Sequence, residues 1–499
     1  MQVEANNCTI AVLGAGTMGE GIAQIAVTAG HPVMLYDISV EQIQGAIENI
    51  ASRLESSVDN GKITYEKKTQ ILRNISPIQN LEELAKAKLV IEAIIEDLAV
   101  KRDIFSKLES ILDTDAILAT NTSSIDLNKM CRVLKRPDRL VGMHFFNPAP
   151  VMSLVEVVRS TKTESEVADF IFSLAEKWGK SPVHVRSSPG FIVNRVARLF
   201  YSEALTILKE GGTDAATCDA IMRECGGFKM GPFELMDLIG LDVNYVVTCQ
   251  IWESFQRHPR FAPSALHKEL VESGRLGRKT GLGFFEYGVD AEMQYPKNAL
   301  ESPASASLII EGPEKLPESL IKLIESGSTK TNSISGNGII SLPTGIMVVI
   351  SNGKSSTERS SELGGNVVSL DLCLNYVQSS RIALSHSAHC SANDLQEAVG
   401  LFQSLNKQVS VLNDIPGMVL TRTVAMLANE ASLLVQEEVT DAAGVDRAMR
   451  KGLNFPLGPL EWAEQWGLFS LVETLDNLRQ VYGERYQVSP WLQQKANQS

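Results

Sequence analysis

Through the first 186 residues, short apolar runs rich in β-branched side chains alternate with longer stretches of helical period. TIAVL (9–13), HPVMLYD (31–37), KLVIEAII (88–95), AILATNTSS (116–124) and LVGMHFF (140–146) predict strands, and VEQIQGAIENIASRLESSV (40–58) predicts a helix among them. The alternation predicts βαβ units and a parallel sheet, whose ligands belong beyond the carboxyl ends of the strands. Glu96, Lys101, Asn121, Ser123 and His144 all fall near such ends. From Pro189 the period changes. FIVNRVARLFYSEALTILKEG places Ile192, Val196, Phe200, Ala204 and Leu208 on one stripe, which predicts an all-α region.

That helical unit recurs. Pro189-Gly190 matches Pro416-Gly417, Arg195 matches Arg422, Glu203 matches Glu430, Asp214 matches Asp441, and Gly231-Pro232 with Glu234 matches Gly458-Pro459 with Glu461, always 227 residues apart. Between the copies, LIIEG near 308, GIMVVIS near 345 and VVSLDLCLN near 367 predict strands, and LPESLIKLIES predicts a helix. SNGKSSTERSSELGGN (351–366) is expected to be an exposed loop. The domains expected are 1–186, 187–287, 288–410 (a small α/β insert with linkers) and 411–499.

Composition narrows the classes of function. With 499 residues, 44% hydrophobic and 21% charged, the chain is globular material with room for several domains. A net charge of −13 argues against a nucleic-acid surface, which needs a basic stripe. No window predicts a membrane span, and the amino terminus lacks the basic region of a signal peptide. Seven scattered cysteines with no CxxC pair look like reduced cytoplasmic thiols, and no metal site is expected. His386 and His389 have metal-like spacing but no evident carboxylate partner, and read as surface residues. Arg275, Arg278 and Lys279, in the glycine-rich stretch 274–287, could meet phosphates or close the helical domain.

Strand, glycine turn and helix follow one another at Gly14-Ala-Gly16-Thr17-Met18-Gly19, the order that a dinucleotide-binding turn needs. Gly14 permits the turn, Gly16 lets a pyrophosphate approach the helix N-terminus, and Gly19 lets helix and strand pack. Asp37, eighteen residues past Gly19, suits ribose hydroxyls and repels a 2′-phosphate, which favours NAD over NADP; otherwise it is a solvated strand end. Downstream, MHFFNPAPVMSLVE (143–156) supplies an imidazole and, twelve positions on, a carboxylate. Oxidising a secondary alcohol requires a base at the hydroxyl, and His144 oriented by Glu156 suits that task, with Ser123 able to hydrogen-bond the same oxygen. A histidine flanked by Phe145 and Phe146 is otherwise a satisfied core residue.

TNTSS (120–124), HFFNPAPV (144–151), LVEVV (154–158) and SPGFIVNR (188–195) together resemble the L-3-hydroxyacyl-CoA dehydrogenase family. The resemblance implies a Rossmann-type NAD-binding α/β domain, two tandem all-α C-terminal domains of the 6-phosphogluconate-dehydrogenase-like kind, and a small α/β insert between them. It implies that His144 and Glu156 are the catalytic pair and that Ser123 and Asn194 contact substrate. Glu96, Lys101 and Asn147 are then expected near the nicotinamide end of NAD. The substrate implied is an acyl-CoA thioester oxidised at its 3-hydroxyl, and Arg53 and Lys62 are expected as partners for the CoA nucleotide. Thr421 replaces Asn194 in the second copy, so that copy is expected to complete no active site and to pack on the first, as two such domains do across a dimer. A homodimer or a compact monomer is expected. A nucleotide-sensing protein without catalysis is the rival reading.

Overall fold

The computed structural model describes residues 8–289 and 291–498. They fall into two compact units, one running to Val193 and including Glu437–Leu453, the other holding the remainder. In the first unit, eight strands form one sheet: β1 (Ile10–Leu13), β2 (Val33–Tyr36), β3 (Ile75–Ile78), β4 (Leu89–Glu92), β5 (Ile117–Thr120), β6 (Leu140–Phe145), β7 (Leu154–Arg159) and β8 (Ser181–Arg186). Their spatial order is β3-β2-β1-β4-β5-β6-β7-β8, parallel through β6, after which β7 and β8 run the other way. The helices are α1 (Thr17–Thr28), α2 (Val40–Asp59), α3 (Tyr65–Arg73), α4 (Leu98–Ile111), α5 (Leu127–Met130) and α6 (Ser165–Lys177). Ile22, Ala26, Ile43, Ile50, Ile171 and Leu174 pack on one face of the sheet, and Phe105, Leu108 and Met130 on the other. Burial on both faces explains why β1, β4 and β5 read as continuous apolar runs.

The second unit begins with α7 (Val193–Lys209), α8 (Ala215–Glu224), α9 (Pro232–Ile239), α10 (Leu241–Ser254) and α11 (Ala265–Glu272). A seven-stranded mixed sheet follows: β9 (Ser307–Glu311), β10 (Lys330–Ile334), β11 (Ile339–Ser341), β12 (Met347–Ile350), β13 (Val367–Leu370), β14 (Arg381–His386) and β15 (Gln408–Leu412), in the order β10-β9-β11-β12-β13-β14-β15. With it come α12 (Glu318–Glu325), α13 (Ser356–Leu363) and α14 (Ala392–Ser404). The loop expected at 351–366 is therefore corrected: its centre is helix α13. Ser355 and Glu358 close a capping box at its N-terminus, a local signal that the low apolar content of the segment obscures. The last elements are α15 (Leu420–Gln436), α16 (Ala442–Leu453), α17 (Pro459–Trp466), α18 (Leu468–Tyr482) and α19 (Pro490–Ala496).

The repeat is longer than the helices alone suggest. A constant shift of 227 carries β7 onto β14, α6 onto α14, α7 onto α15 and α9 onto α17 with both ends matching. It also carries the register: His144 faces Glu156 across β6 and β7, and the amide of Asp371 donates to Ala383 across β13 and β14. Even the left-handed backbone recurs, at Phe191 (φ 49°) and Met418 (φ 53°). The second sheet is thus in part a second copy of the first. Helices are exchanged between the copies: α16 packs on β7 and β8 of the first sheet, whereas α8 packs on β14 of the second.

Within the second unit, α7 and α15 are joined by reciprocal buried ion pairs. Arg195 Nε lies 2.6 Å from Glu430, which also receives Arg260 at 2.9 Å. At the repeat-related positions, Arg422 Nε lies 2.9 Å from Glu203, which also receives Arg485 at 2.7 Å. The second helical copy does pack on the first, as its sequence suggests.

His267 on α11 is buried, with Nε2 2.9 Å from the Leu241 carbonyl, and burial pushes its pKa down from 6.5 to about 4. Between those values the unfolded chain binds a proton that the folded chain refuses, so stability falls as pH drops through this window. His267→Gln keeps a donor for Leu241. It is expected to flatten the loss of unfolding free energy between about pH 7 and pH 5 by roughly 2 kcal/mol, read from urea titrations at the two pH values.

Candidate active site

Gly14 (φ 97°) turns the chain out of β1, and a Cβ there would meet the Ala93 carbonyl oxygen at 2.5 Å. A Cβ on Gly19 would lie 1.8 Å from the Gly14 oxygen. Both glycines are demanded by the fold itself. Gly16 is different: a Cβ on it would touch nothing within 4 Å, and no side chain caps α1 there. An open approach to an uncapped helix N-terminus is what a pyrophosphate requires, so these residues fit a bound dinucleotide. Thr17 opens α1 at the surface, and Met18 packs on the core beneath it. Asp37 stands half-buried just beyond β2, one carboxylate oxygen accepting the Ala15 amide at 2.7 Å and the other the Ser39 amide at 3.0 Å. It ties the glycine turn to the end of the neighbouring strand.

The ends of β4 and β5 are held by a buried charge network. Lys101 on α4 is 1% exposed and donates to Glu92 at 2.5 Å, with Glu96 3.3 Å away. Glu92 also accepts the Thr120 hydroxyl and the Ile94 amide. Burial acts to raise the Glu96 pKa, but the Lys101 charge and hydrogen bonds from Thr122, Ser124 and the Ser123 amide hold it below the usual carboxylate range. Glu96 therefore fixes the TNTSS turn that presents Ser123, and Lys101 anchors both acids. Asn121 bridges to the next strand, its side-chain oxygen accepting the Phe145 amide at 2.8 Å. Glu92, which holds Lys101 and Thr120 together, escapes sequence reasoning because it sits inside an apolar strand. A lone acid in KLVIEAII, nine residues before a lysine, was its signal.

His144 and Glu156 are direct cross-strand neighbours in the β6–β7 antiparallel pair, which explains how residues twelve apart meet. His144 Nδ1 lies 2.7 Å from Glu156 Oε2, and the carboxylate is fully buried. Its other oxygen accepts the amides of Ile192 and Val193, both at 3.0 Å. Glu156 is thus oriented at both ends, and it fixes the tautomer that turns Nε2 away from the carboxylate. Phe146 and Phe191 flank the imidazole, with ring centroids 4.5 and 5.7 Å away. A ring held this way can take a proton at Nε2 and rest as an imidazolium beside a carboxylate.

Asn147 follows this strand on the exposed side of the loop. Lys180, missing from the sequence argument, braces that loop by donating to the carbonyls of Ala149 (2.6 Å) and Met152 (2.8 Å), and burial lowers its pKa to about 8. Asn194 comes directly after Val193 in the chain, at the start of α7. Arg53 is ion-paired with Glu20 and donates to Gln24 at 2.6 Å, and Lys62 lies in the exposed turn between α2 and α3. The basic turn at 275–279 is spent inside the helical domain: Arg275 donates to the Gly283 carbonyl, Arg278 to Glu234 and Lys279 to Asp242. No cluster of metal-ligating side chains occurs among the described residues, and no described helix is long and apolar enough to cross a membrane.

Three family models match parts of the chain. Residues 9–188 match the 3-hydroxyacyl-CoA dehydrogenase NAD binding domain, and 190–287 together with 417–499 match the C-terminal domain of the same family. Residues 348–416 match the 3-hydroxybutyryl-CoA dehydrogenase reduced Rossmann-fold domain, which agrees with a second sheet that repeats part of the first. Among curated relatives, 3-hydroxyadipyl-CoA dehydrogenase of Escherichia coli (strain K12) is 39% identical over 98% of this chain and 97% of its own. Probable 3-hydroxybutyryl-CoA dehydrogenase of Bacillus subtilis (strain 168) is 39% identical over 56% of this chain and 96% of its own. A crystal structure of 3-hydroxybutyryl-CoA dehydrogenase from Escherichia coli K12 substr. MG1655 superposes with a TM-score of 0.91 at 38% identity, covering 99% of both chains. The chain therefore belongs to the 3-hydroxyacyl-CoA dehydrogenase family of NAD-dependent enzymes.

Proposed function

We propose that the chain oxidises (S)-3-hydroxyadipyl-CoA to its 3-oxo product, the step expected of it in phenylacetate breakdown. The observation that carries this reading is the 39% identity to a 3-hydroxyadipyl-CoA dehydrogenase along nearly the whole of both chains. In this reading His144 Nε2 removes the hydroxyl proton, Glu156 stabilises the imidazolium, and Ser123 and Asn194 hold the substrate oxygen. Bound NAD would supply the acceptor for the hydride on C3; Asp37 would hold its ribose, the turn at Gly14, Gly16 and Gly19 its pyrophosphate, and Asn147 with Glu96 and Lys101 its nicotinamide end. In the reverse direction the imidazolium protonates the developing alkoxide. A cytoplasmic homodimer is the expected assembly. A compact monomer is the alternative, and the pairing of two helical copies inside one chain supports it.

A short-chain substrate is the second reading, favoured by the name of the solved structure with TM-score 0.91. NADH formation from (S)-3-hydroxyadipyl-CoA and (S)-3-hydroxybutyryl-CoA separates the two. The expected result is a kcat/KM at least about tenfold higher for the dicarboxylic thioester, about 1.4 kcal/mol of selectivity. Equal or reversed values would favour the short chain, and no NADH from either would favour the nucleotide sensor.

A further inference from the structure

The second copy has lost the chemistry of the first but not its space. Across β12 and β13, Val349 faces Ser369 as Thr120 faces Gly142 across β5 and β6, so Asn352 takes the place of Ser123. Shifting by 227 puts Asp371 in the place of His144, Ala383 in that of Glu156 and Thr421 in that of Asn194. Asp371 cannot serve as a base. Its carboxylate accepts the amides of Val419, Leu420 and Thr421 and the Thr421 hydroxyl, taking over the amides that Glu156 holds in the first copy.

A cavity of about 1120 Å³ nevertheless opens at the carboxyl ends of β12 and β13. That is comparable with the roughly 300–1,000 Å³ of small-molecule sites. Leu372 and Cys373 in its wall are the repeat partners of Phe145 and Phe146, so it lies where the reacting centre lies in the first copy. Three buried polar atoms in residues that line it have no hydrogen-bond partner: Ser351 Oγ, Arg359 Nε and Thr474 Oγ1. Ser351 is 3% exposed and Thr474 is fully buried, so these hydroxyls lie behind the cavity wall and not on it. Trp462, Trp466 and Phe469 supply apolar wall. Three acids (Glu314, Glu318, Glu473) offset three bases (Lys315, Lys322, Arg359), so the cavity has no surplus charge for a phosphate.

We propose that this cavity is a second, non-catalytic binding site for the acyl-pantetheine arm of a CoA thioester. The arm is uncharged, its methyl and acyl carbons lie against aromatic rings, and its amides lie beside the neutral polar residues Asn352, Asn375 and Gln378 of the lining. The proposal rests on the dehydrogenase reading, because the first copy binds the same kind of molecule in the related place. The site holds a thioester without turning it over.

Equilibrium dialysis of the full chain with acetoacetyl-CoA tests the idea. Wild type is expected to bind about two equivalents at saturation. Ser470→Trp, at an exposed position on the cavity wall, is expected to bind about one, with kcat and KM within about twofold of wild type. S-acetoacetyl-pantetheine should displace the second equivalent, whereas adenosine 3′,5′-bisphosphate should not. One equivalent in wild type would mean that the cavity holds solvent alone and would overturn the proposal, as would two equivalents in Ser470→Trp or displacement by the bisphosphate only. Zero equivalents would overturn the dehydrogenase reading as well.

Discussion

Replacing His144 with alanine is expected to lower kcat by roughly 10²- to 10⁴-fold, the usual contribution of a positioned general base. KM for NAD should stay within about twofold, because the glycine turn and Asp37 are separate from the imidazole. Stopped-flow measurement of NADH formation, with NAD binding followed by fluorescence, separates the two effects. A variant that retains wild-type kcat would remove His144 from the mechanism. Glu156→Gln should behave differently from His144→Ala. A side-chain amide that keeps the amides of Ile192 and Val193 on its oxygen turns its NH2 to Nδ1, which forces the imidazole into the tautomer protonated at Nε2 and removes the base. That variant is expected to lose turnover with its hydrogen bonds kept, which a thermal melt close to that of wild type beside the kinetics would show.

The largest effect on stability should come from the buried ion clusters that join the helical copies. Glu430→Ala leaves Arg195 and Arg260 buried with their shared carboxylate gone, at an expected cost of about 3–5 kcal/mol. Glu203→Ala should cost less, since Arg485 loses its carboxylate but Arg422 keeps Glu210 at 2.8 Å. Replacing Arg195, Arg260 and Glu430 together with Met or Leu should recover most of the loss, because no charge is then left unpaired. Urea denaturation reads all three. A triple variant no more stable than Glu430→Ala would mean that shape, rather than uncompensated charge, sets the cost.

What the chain shows without coordinates depends on how local each signal is. The glycine turn is legible because three residues at fixed spacing meet a steric demand, and two of them leave no room for a Cβ. His144 and Glu156 are legible as types, but their contact depends on the antiparallel register of β6 and β7, and nothing in the spacing shows that the chain reverses there. Glu92 and Lys180 are hidden for a related reason. Each is a charged residue inside or beside an apolar run, and each matters through a partner on another element. The repeat is visible where conserved-type residues such as Pro-Gly and Arg mark it. It fades across the second sheet, where Asp371 stands for His144 and Ala383 for Glu156. Backbone register preserves there what side-chain chemistry has lost.

The exchange of helices sets the order in which the protein can be completed during synthesis. The first sheet is covered at β7 and β8 by α16, so the unit that ends at Val193 is not closed until Leu453 has been made, 260 residues later (453 − 193). At the roughly 5–20 residues per second of translation, that is a wait of about 10–50 s. Throughout it, the nucleotide domain is complete except for the helix that covers β7 and β8.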